Sequence, residues 1–487
     1  SLSDPSLNLA KVIYRGGPND VNGNDGSYRG INGFNGVLSL SAGHDFGTNH
    51  VAASLPNAQA ILNEGSFLVW SPPGSTVQIG QTIYEASYGG DINFHPIGNS
   101  RIVMSGIYSH TDNSPHNKPN LVNPSLSDPS LNLAKVIYRG GPNDVNGNDG
   151  SYRGINIEAG GTVQWGDGTH SNFFLPSAPS PAEVDPVLGK KNAYINLHRG
   201  GTLAFNYNGP VTLHVGITGG GGGPDRSQSI GVGNVTLMGT PGNDVTFGQP
   251  QNFNGTTSIE SGAILRLGTG VPVPLNYVTL NATTGKSVFK QATYTGDASL
   301  LTAESVGGVA TNAIQNAGQL IVQNTATNIT LSNISGVGSF VQQGAATTTL
   351  RNNSYSGGST IKSGGVLAGS ADAFGTGAVI NSADLALAPG QHALTLASGF
   401  TQTASGNLTL AVAGITAGVD ADDIAVAGPV VLGGTLTLHV SGTYAPGQKL
   451  ILIRSAAGIS GAFSAVNSNG VSLTGQVEGL AYTMTLN

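Results

Sequence analysis

Short runs of alternating apolar and small polar residues recur along the whole chain, and each is closed by Gly or Asn. Val211-Thr-Leu-His-Val, Val235-Thr-Leu-Met, Val245-Thr-Phe, Val278-Thr-Leu, Ile329-Thr-Leu and Leu436-Thr-Leu-His-Val are the clearest. Period-2 alternation buries one face of a strand and wets the other. No long stretch shows a helical period, so the chain reads as all-β. Its 487 residues exceed what one globular core ordinarily serves. Many short strands fit either a multi-sheet sandwich or a solenoid. The spacing from Val211 to Val235 is about one coil of a repeat array, which favours a parallel β-helix, or β-solenoid, with N-terminal loop excursions. Stacked rungs pair at about 4.8 Å and leave few open edges. On the order of 20 rungs would make a rod roughly 100 Å long.

Composition agrees with such a stack. Only 9% of residues are charged and 74 are Gly, against about 25% charged in an ordinary soluble domain. Solubility then rests on Asn, Ser, Thr and Gly, the residues of turns and uncharged strand faces. A hydrophobic content of 38% still supplies a core. With 19 basic residues and a net charge of −7, the chain lacks the clustered Lys and Arg that nucleic acid requires. Cys is absent, which suits a protein crossing the periplasm unfolded, among other compartments. No apolar run reaches the roughly 18 residues of a membrane helix. The chain opens at Ser1 without a signal peptide and is read as a mature or truncated product.

Segments 109–131 and 167–191 combine Pro, Asp and Asn without alternation and read as excursions from the stack. Gly219–Gly223 lacks the Gly-Lys-Ser/Thr of a phosphate cradle and reads as a flexible loop. Residues 1–32 recur letter for letter at 125–156. Solenoid rungs diverge because each meets different neighbours, so block identity implies a very recent duplication or a sequence artefact. We read 1–32 as the suspect copy, because the second runs smoothly into Ile157-Glu-Ala-Gly-Gly-Thr-Val-Gln-Trp.

Two stretches resemble passenger domains of type V autotransporters. Asn353-Ser-Tyr-Ser-Gly-Gly-Ser-Thr-Ile-Lys-Ser-Gly-Gly-Val-Leu-Ala-Gly-Ser resembles the passenger-associated transport repeat. Asn252-Phe-Asn-Gly-Thr-Thr-Ser-Ile-Glu-Ser-Gly-Ala-Ile-Leu-Arg-Leu-Gly is a weaker copy, matching Phe253 to Tyr355, Ile259 to Ile361, Gly262 to Gly364 and Leu265 to Leu367. On this reading the Ile and Leu face inward on successive strands. The C-terminal run of Asp422-Asp-Ile-Ala-Val-Ala-Gly, Leu432-Gly-Gly-Thr-Leu-Thr-Leu, Tyr444-Ala-Pro-Gly-Gln, Leu450-Ile-Leu-Ile and Gly458-Ile-Ser-Gly-Ala-Phe resembles the end of pertactin-like, Bordetella-type passengers. The resemblance covers roughly a third of the chain. It implies a right-handed parallel β-helix, exported to the cell surface or secreted, whose outer-membrane barrel is not in this sequence. Four parts follow: 1–32 the duplicated segment, 33–250 a decorated N-terminal part, 251–405 regular coils with transport repeats, and 406–487 a folding, autochaperone-like region.

Catalytic signatures are missing. There is no Gly-Asp-Ser-Gly, Gly-x-Ser-x-Gly or His-Glu-x-x-His. His44 and Asp45 are adjacent, and adjacent strand residues point to opposite faces. His110, Asp112 and His116 have the elements of a metal set but read as a solvated loop. Asp20–Gly26, repeated at Asp144–Gly150, resembles the start of a calcium loop, yet the closing Glu of an EF-hand would fall at Ile31 or Ile155; a tight turn explains the string. Glu158, Asp167, Glu183 and Asp185 are the densest acidic group, too sparse for a glycosidase face. The reading is a non-enzyme without cofactor or metal. Its function is a virulence factor or adhesin binding a host protein (a serum, complement or matrix component); a β-helical hydrolase and a passive stalk are the alternatives.

The N-terminal half holds the excursions, both Trp, several Tyr and most of the His. Exposed aromatics beside polar loops anchor many interfaces. The expected binding constellation is therefore Tyr108, His110, His116, Trp165, Phe173 and Phe174.

Overall fold

The computed structural model describes residues 30–34, 37–41, 60–63, 66–71, 74, 76–79, 82–86, 92–96, 101–104, 108–111, 155–157, 162–169, 194–197, 201–213, 216–219, 233–251, 253, 255–280, 287–300, 313–442 and 444–487. All regular structure among them is β-strand. The alternating runs fall in the strands Pro210–Leu213, Asn234–Leu237, Asp244–Phe247, Val273–Leu280, Ile329–Ser332 and Thr435–Val440. The chain divides into two compact units, Ser1–Thr256 with Pro272–Gly296 and Thr257–Val271 with Asp297–Asn487.

In the first unit the strands stack into parallel ladders. A four-stranded sheet joins Gly30–Phe34, Ala60–Asn63, Thr82–Ala86 and Tyr108–Thr111. A six-stranded sheet runs from Val37–Ser41 through Ser66–Ser71, Ile92–Pro96, Ile155–Ile157 and Tyr194–Leu197 to Gly216–Gly219. A third ladder takes Thr76–Ile79, Arg101–Met104, Thr162–Trp165, Thr202–Phe205 and Asn234–Leu237. Consecutive strands belong to different sheets and equivalent strands one coil later pair in parallel, which defines a parallel β-helix. In-register stacking puts like on like. Trp165 lies opposite Phe205 in the ladder, with ring centroids 5.6 Å apart edge to face, and Phe205 stands 6.0 Å from Phe247. Such pairs add about 0.5–1.5 kcal/mol beyond the area they bury.

The second unit repeats the scheme. One ladder runs from Ile264–Leu267 through Gln319–Val322, Ser339–Gln342, Ser359–Ile361, Val379–Asn381, Phe400–Gln402 and Val430–Leu432 to Ile459–Gly461. A seven-stranded sheet follows it around the corner, from Ile329–Ser332 through Thr347–Arg351, Gly365–Ala368, Asp384–Leu387, Asn407–Val412 and Thr435–Val440 to Ala465–Ser468. Thr257–Ile259, Ile314–Asn316 and Ile334–Ser335 form a third face. That face has no strand at 352–358 or 370–378; there Tyr355 and Phe374, both fully buried, fill the interior instead. The Tyr355 hydroxyl lies 2.6 Å from the Ser359 hydroxyl.

A sharp corner leaves turn carbonyls turned inward, and a buried carbonyl without a donor costs about 1–3 kcal/mol. Amide side chains at the strand ends meet this need. Gln342 Nε2 donates to the carbonyls of Gly344 and Ala346 at 3.0 and 2.8 Å. Gln402 Nε2 donates to Gly406 and Thr435 at 3.2 and 2.7 Å. Asn381 Nδ2, in register with Gln402, donates to Gln402 Oε1 and to the Asn407 carbonyl, both at 3.0 Å. The Asn and Gln richness of the chain thus serves the interior corners as well as the surface.

Three expectations need correction. Val211 and Val235 are not one rung apart: Val211 pairs with Val245 and Val235 with Leu203, in different ladders. Segment 109–131 does not start as an excursion, since Ser109, His110 and Thr111 belong to a strand. The two repeat-like stretches do not superpose at their second strands. Leu265 is buried, but Leu367 is partly exposed, with Val366 and Ala368 facing in. One copy turns from the Thr257–Ile259 face to the Ile264–Leu267 face and the other from Ser359–Ile361, in the same ladder as Ile264–Leu267, to Gly365–Ala368, so the shared letters mark one kind of turn at two different corners. Two antiparallel elements join the parallel stack. Val273–Leu280 and Ser287–Tyr294 form an antiparallel hairpin. The coil's last sheet also turns antiparallel, ordering Ala393–Leu396, Asp423–Val426, Lys449–Ser455, Ala481–Leu486 and Leu473–Glu478.

The duplicated block meets two environments. Ile31 pairs with Ile61 in the four-stranded sheet, whereas its identical counterpart Ile155 pairs with Ile92 and Ile195 in the six-stranded one.

Candidate functional site

The structure brings few of the expected binding residues together. Tyr108 and His110 sit on Tyr108–Thr111, opposite Ile83 and Glu85 of the neighbouring strand. His116, Phe173 and Phe174 lie outside the described residues, as do His44, Asp45, Asp112, Glu158, Glu183, Asp185, Asp20–Gly26 and Asp144–Gly150. Trp165 is a correction. Its side chain is fully buried in the first unit's core, so its apolar area is already used in folding and it offers nothing to a partner. Asp167 closes its own turn, accepting from the Thr169 amide and hydroxyl at 2.9 and 2.8 Å. No group of three or more His, Asp or Glu among the described residues could hold a metal ion.

Among the described residues, a dense polar constellation lies at residues 411–423 of the second unit. Here the chain leaves Asn407–Val412, makes a short loop and enters Asp423–Val426. The loop is held by Asp420, whose Oδ1 accepts from the Thr416 amide at 2.6 Å and whose carbonyl accepts from Ala413 and Gly414. Buried Asp422 divides its oxygens. Oδ1 meets His392 Nδ1 at 2.8 Å, and Oδ2 accepts from the Ala411 amide at 2.7 Å. Asp423, also buried, forms an ion pair with Arg454 on the next coil. The Tyr444 hydroxyl reaches the Val412 and Ser441 carbonyls at 2.9 and 2.7 Å, and burial together with the charge of Asp420 holds its pKa above the usual phenol value. Asp422 thus fixes the orientation of the His392 ring, and among the described residues no hydroxyl hydrogen-bonds that ring. What this corner does is fasten one coil to the next, leaving Ile415 and Val419 exposed at the loop's tip. Three Asp in four positions, in a chain so poor in charge, was the available sequence signal.

A second carboxylate, Asp297, makes a turn. Its Oδ1 accepts from the Thr325 amide at 2.7 Å, and its Oδ2 accepts from the amides of Ala326 and Thr327 at 3.0 and 2.6 Å. Burial pushes its pKa up, but the donors from Thr325, Ala326 and Thr327 outweigh burial and the net shift is downward. A carboxylate with a depressed folded pKa adds stability that is complete above its unfolded value of about 3.9 and is lost as pH falls through the folded value. Asp297→Asn is therefore expected to lower stability at pH 7 by about 1–2 kcal/mol. The gap between variant and parent should close as unfolding is measured at successively lower pH from about 4 downward. A gap independent of pH would mean that the carboxylate's charge does not hold this turn.

The fold these residues define is a parallel β-helix. No family model matches the chain, and no curated protein matches it. Among solved structures it is similar to the Hap adhesin of Haemophilus influenzae, at 12% identity and a TM-score of 0.27, over 88% of this chain and 60% of that one. The chain thus spans 60% of that adhesin chain's length, and a likeness this loose carries no weight in the functional reading.

Proposed function

We propose that this chain is the secreted or surface-displayed passenger of a bacterial autotransporter and that it binds a host protein, as an adhesin or by capturing a serum or complement component. The observation that supports this is the fold of the passenger-like sequence itself. Residues 353–370 form a strand–corner–strand step of the coil, and the C-terminal block forms further stacked coils closed by an antiparallel sheet. A coil of this kind has a narrow dry interior, so recognition belongs to outer faces and interrupting loops.

The test is capture from human serum by the full chain, with the retained proteins identified by mass spectrometry. Two variants address the segments whose sequence reads as excursions, a deletion of 170–191 and a Gly-Ser replacement of 112–120 that leaves the strand Tyr108–Thr111 intact. A third, Ile380→Lys with Val431→Lys, alters exposed aliphatic positions on one outer face of the second unit. We expect specific capture that falls at least tenfold in one or both loop variants and survives in the third. Loss in the third alone would move the site to that outer face, and no specific capture at all would overturn the reading of a host-protein binder.

A further inference from the structure

Among the described residues, one sheet of the second unit ends in an unpaired strand edge. Leu473–Glu478 is, among the described residues, the outermost strand of its sheet and pairs only with Ala481–Leu486. Which of its backbone groups are free follows from the hydrogen bonds. Leu486 uses its own amide and carbonyl on the far side, to the Gln448 carbonyl at 3.0 Å and from the Gly447 amide at 2.8 Å. It therefore exchanges none with Leu473, which lies opposite it. The next residue, Asn487, bonds inward to the Ser472 carbonyl at 3.0 Å. Antiparallel pairs alternate between bonded and non-bonded, so Leu473, Gly475 and Val477 turn their amides and carbonyls outward.

Natural edges are guarded by Pro, by Lys, by a bulge or by very short length. This one has six residues and neither Pro nor Lys. Its one charge, Glu478, is answered within the chain: Lys449 Nζ lies 2.6 Å from its carboxylate, and that bond and one from Gln476 hold its pKa low. Exposed aliphatics flank the edge, with Val477 at 41% and Leu480 at 54%. By contrast, Leu436 of the seven-stranded sheet is fully buried.

We infer that this edge pairs with the same edge of a second copy of the chain, forming a two-fold dimer with one continuous sheet. The edge is self-complementary. An antiparallel register centred on Gly475 sets Gly475 against its symmetry mate and Leu473 against Val477. All three outward-facing backbones then exchange both their bonds, as an isologous contact demands. Glu478 falls opposite Ser472, so no like charges meet. A one-residue slip would set inward-bonded residues against outward-facing ones and lose those bonds.

Sedimentation of the full chain over a range of concentrations tests this. The parent is expected to show a monomer–dimer equilibrium. Val477→Lys places a charge on the edge, and Val477→Pro deletes an outward amide that the internal ladder does not use; each should weaken association at least roughly tenfold, about 1.4 kcal/mol, with an unchanged circular dichroism spectrum. Ile380→Lys, on another face, should leave it unaltered. Because the chain has no native Cys, Thr474→Cys with Gln476→Cys gives a second readout, a disulfide-linked dimer on mild oxidation, since these two positions face each other across the proposed pairing. A parent that stays monomeric throughout, a dimer that survives both Val477 variants, or one lost in Ile380→Lys would overturn the assignment.

Discussion

Gly364→Ala should destabilise the second unit by about 3–4 kcal/mol, whereas Gly390→Ala should cost only about 1. Both glycines have left-handed backbones, with φ of +64° and +80°, and an alanine in that region costs roughly 1–2 kcal/mol by itself. The difference is what surrounds them. A β-carbon on Gly364 would enter the space of the Gly344 and Ala346 carbonyl oxygens of the preceding coil, while nothing lies within 4 Å of the equivalent position on Gly390. Backbone cannot swing aside as a long side chain can, so relief at residue 364 means pushing two coils apart and stretching bonds between them such as that from the Gly365 amide to the Ala346 carbonyl. Denaturant titration followed by circular dichroism measures both losses, and comparable midpoints for the two variants would show that the corner has room to relax. That contact and the positive φ together explain why Gly stands at residue 364.

The sequence made the strands legible and left their arrangement half-read. Alternation alone located Thr435–Val440 and Asp244–Phe247, because Leu436, Leu438, Val245 and Phe247 are buried while their neighbours are not. Alternation cannot say which strand lies beneath which. Rung length varies with the loops at the corners: Val341 pairs with Thr360 and Val431 with Ser460 in the same ladder, so no fixed spacing runs through the chain. Leu367 was misjudged for a related reason. Pattern matching counts residues through the turn, and the two repeat-like turns hand the chain to their second strands one residue out of phase, which reverses every side chain that follows.

The polar interior was harder still. Composition assigns Asn to turns and uncharged strand faces, yet Asn381 is buried together with Gln342 and Gln402, because turn carbonyls need donors that only the stacked structure reveals. Of the binding constellation, Trp165 illustrates the limit. A large aromatic beside a polar segment has the same letters whether it anchors a partner or fills a core. The strand Thr162–Trp165, with Val163, Gln164 and Trp165 all buried, settles it for the core.

Arg454→Met should cost the second unit about 3 kcal/mol, although nearly half of the Arg454 side chain is in water. The reason lies with its partner. Asp423 begins the strand Asp423–Val426 with its carboxylate buried. Its Oδ2 meets Arg454 Nη2, and among the described residues its Oδ1 has no hydrogen-bond partner. Removing the guanidinium leaves the carboxylate's charge inside the coil with no counter-charge beside it, and the penalty of breaking a fully buried pair, about 3–5 kcal/mol, is reduced here by water's access to the Arg side. Lost contact and stranded charge are separable. If the charge dominates, adding Asp423→Asn to Arg454→Met should recover about half of the loss, because a buried neutral amide costs far less than an ion, while Asp423→Asn alone frees only a half-exposed arginine and should cost less than 2 kcal/mol. The double-mutant cycle, from denaturant unfolding of the four proteins at pH 7, then gives a coupling energy above 1 kcal/mol. Additive losses would mean that Arg454 acts through its packed aliphatic stem, and that the two coils are joined by the ladder between Asp423–Val426 and Lys449–Ser455 without help from the ion pair across it.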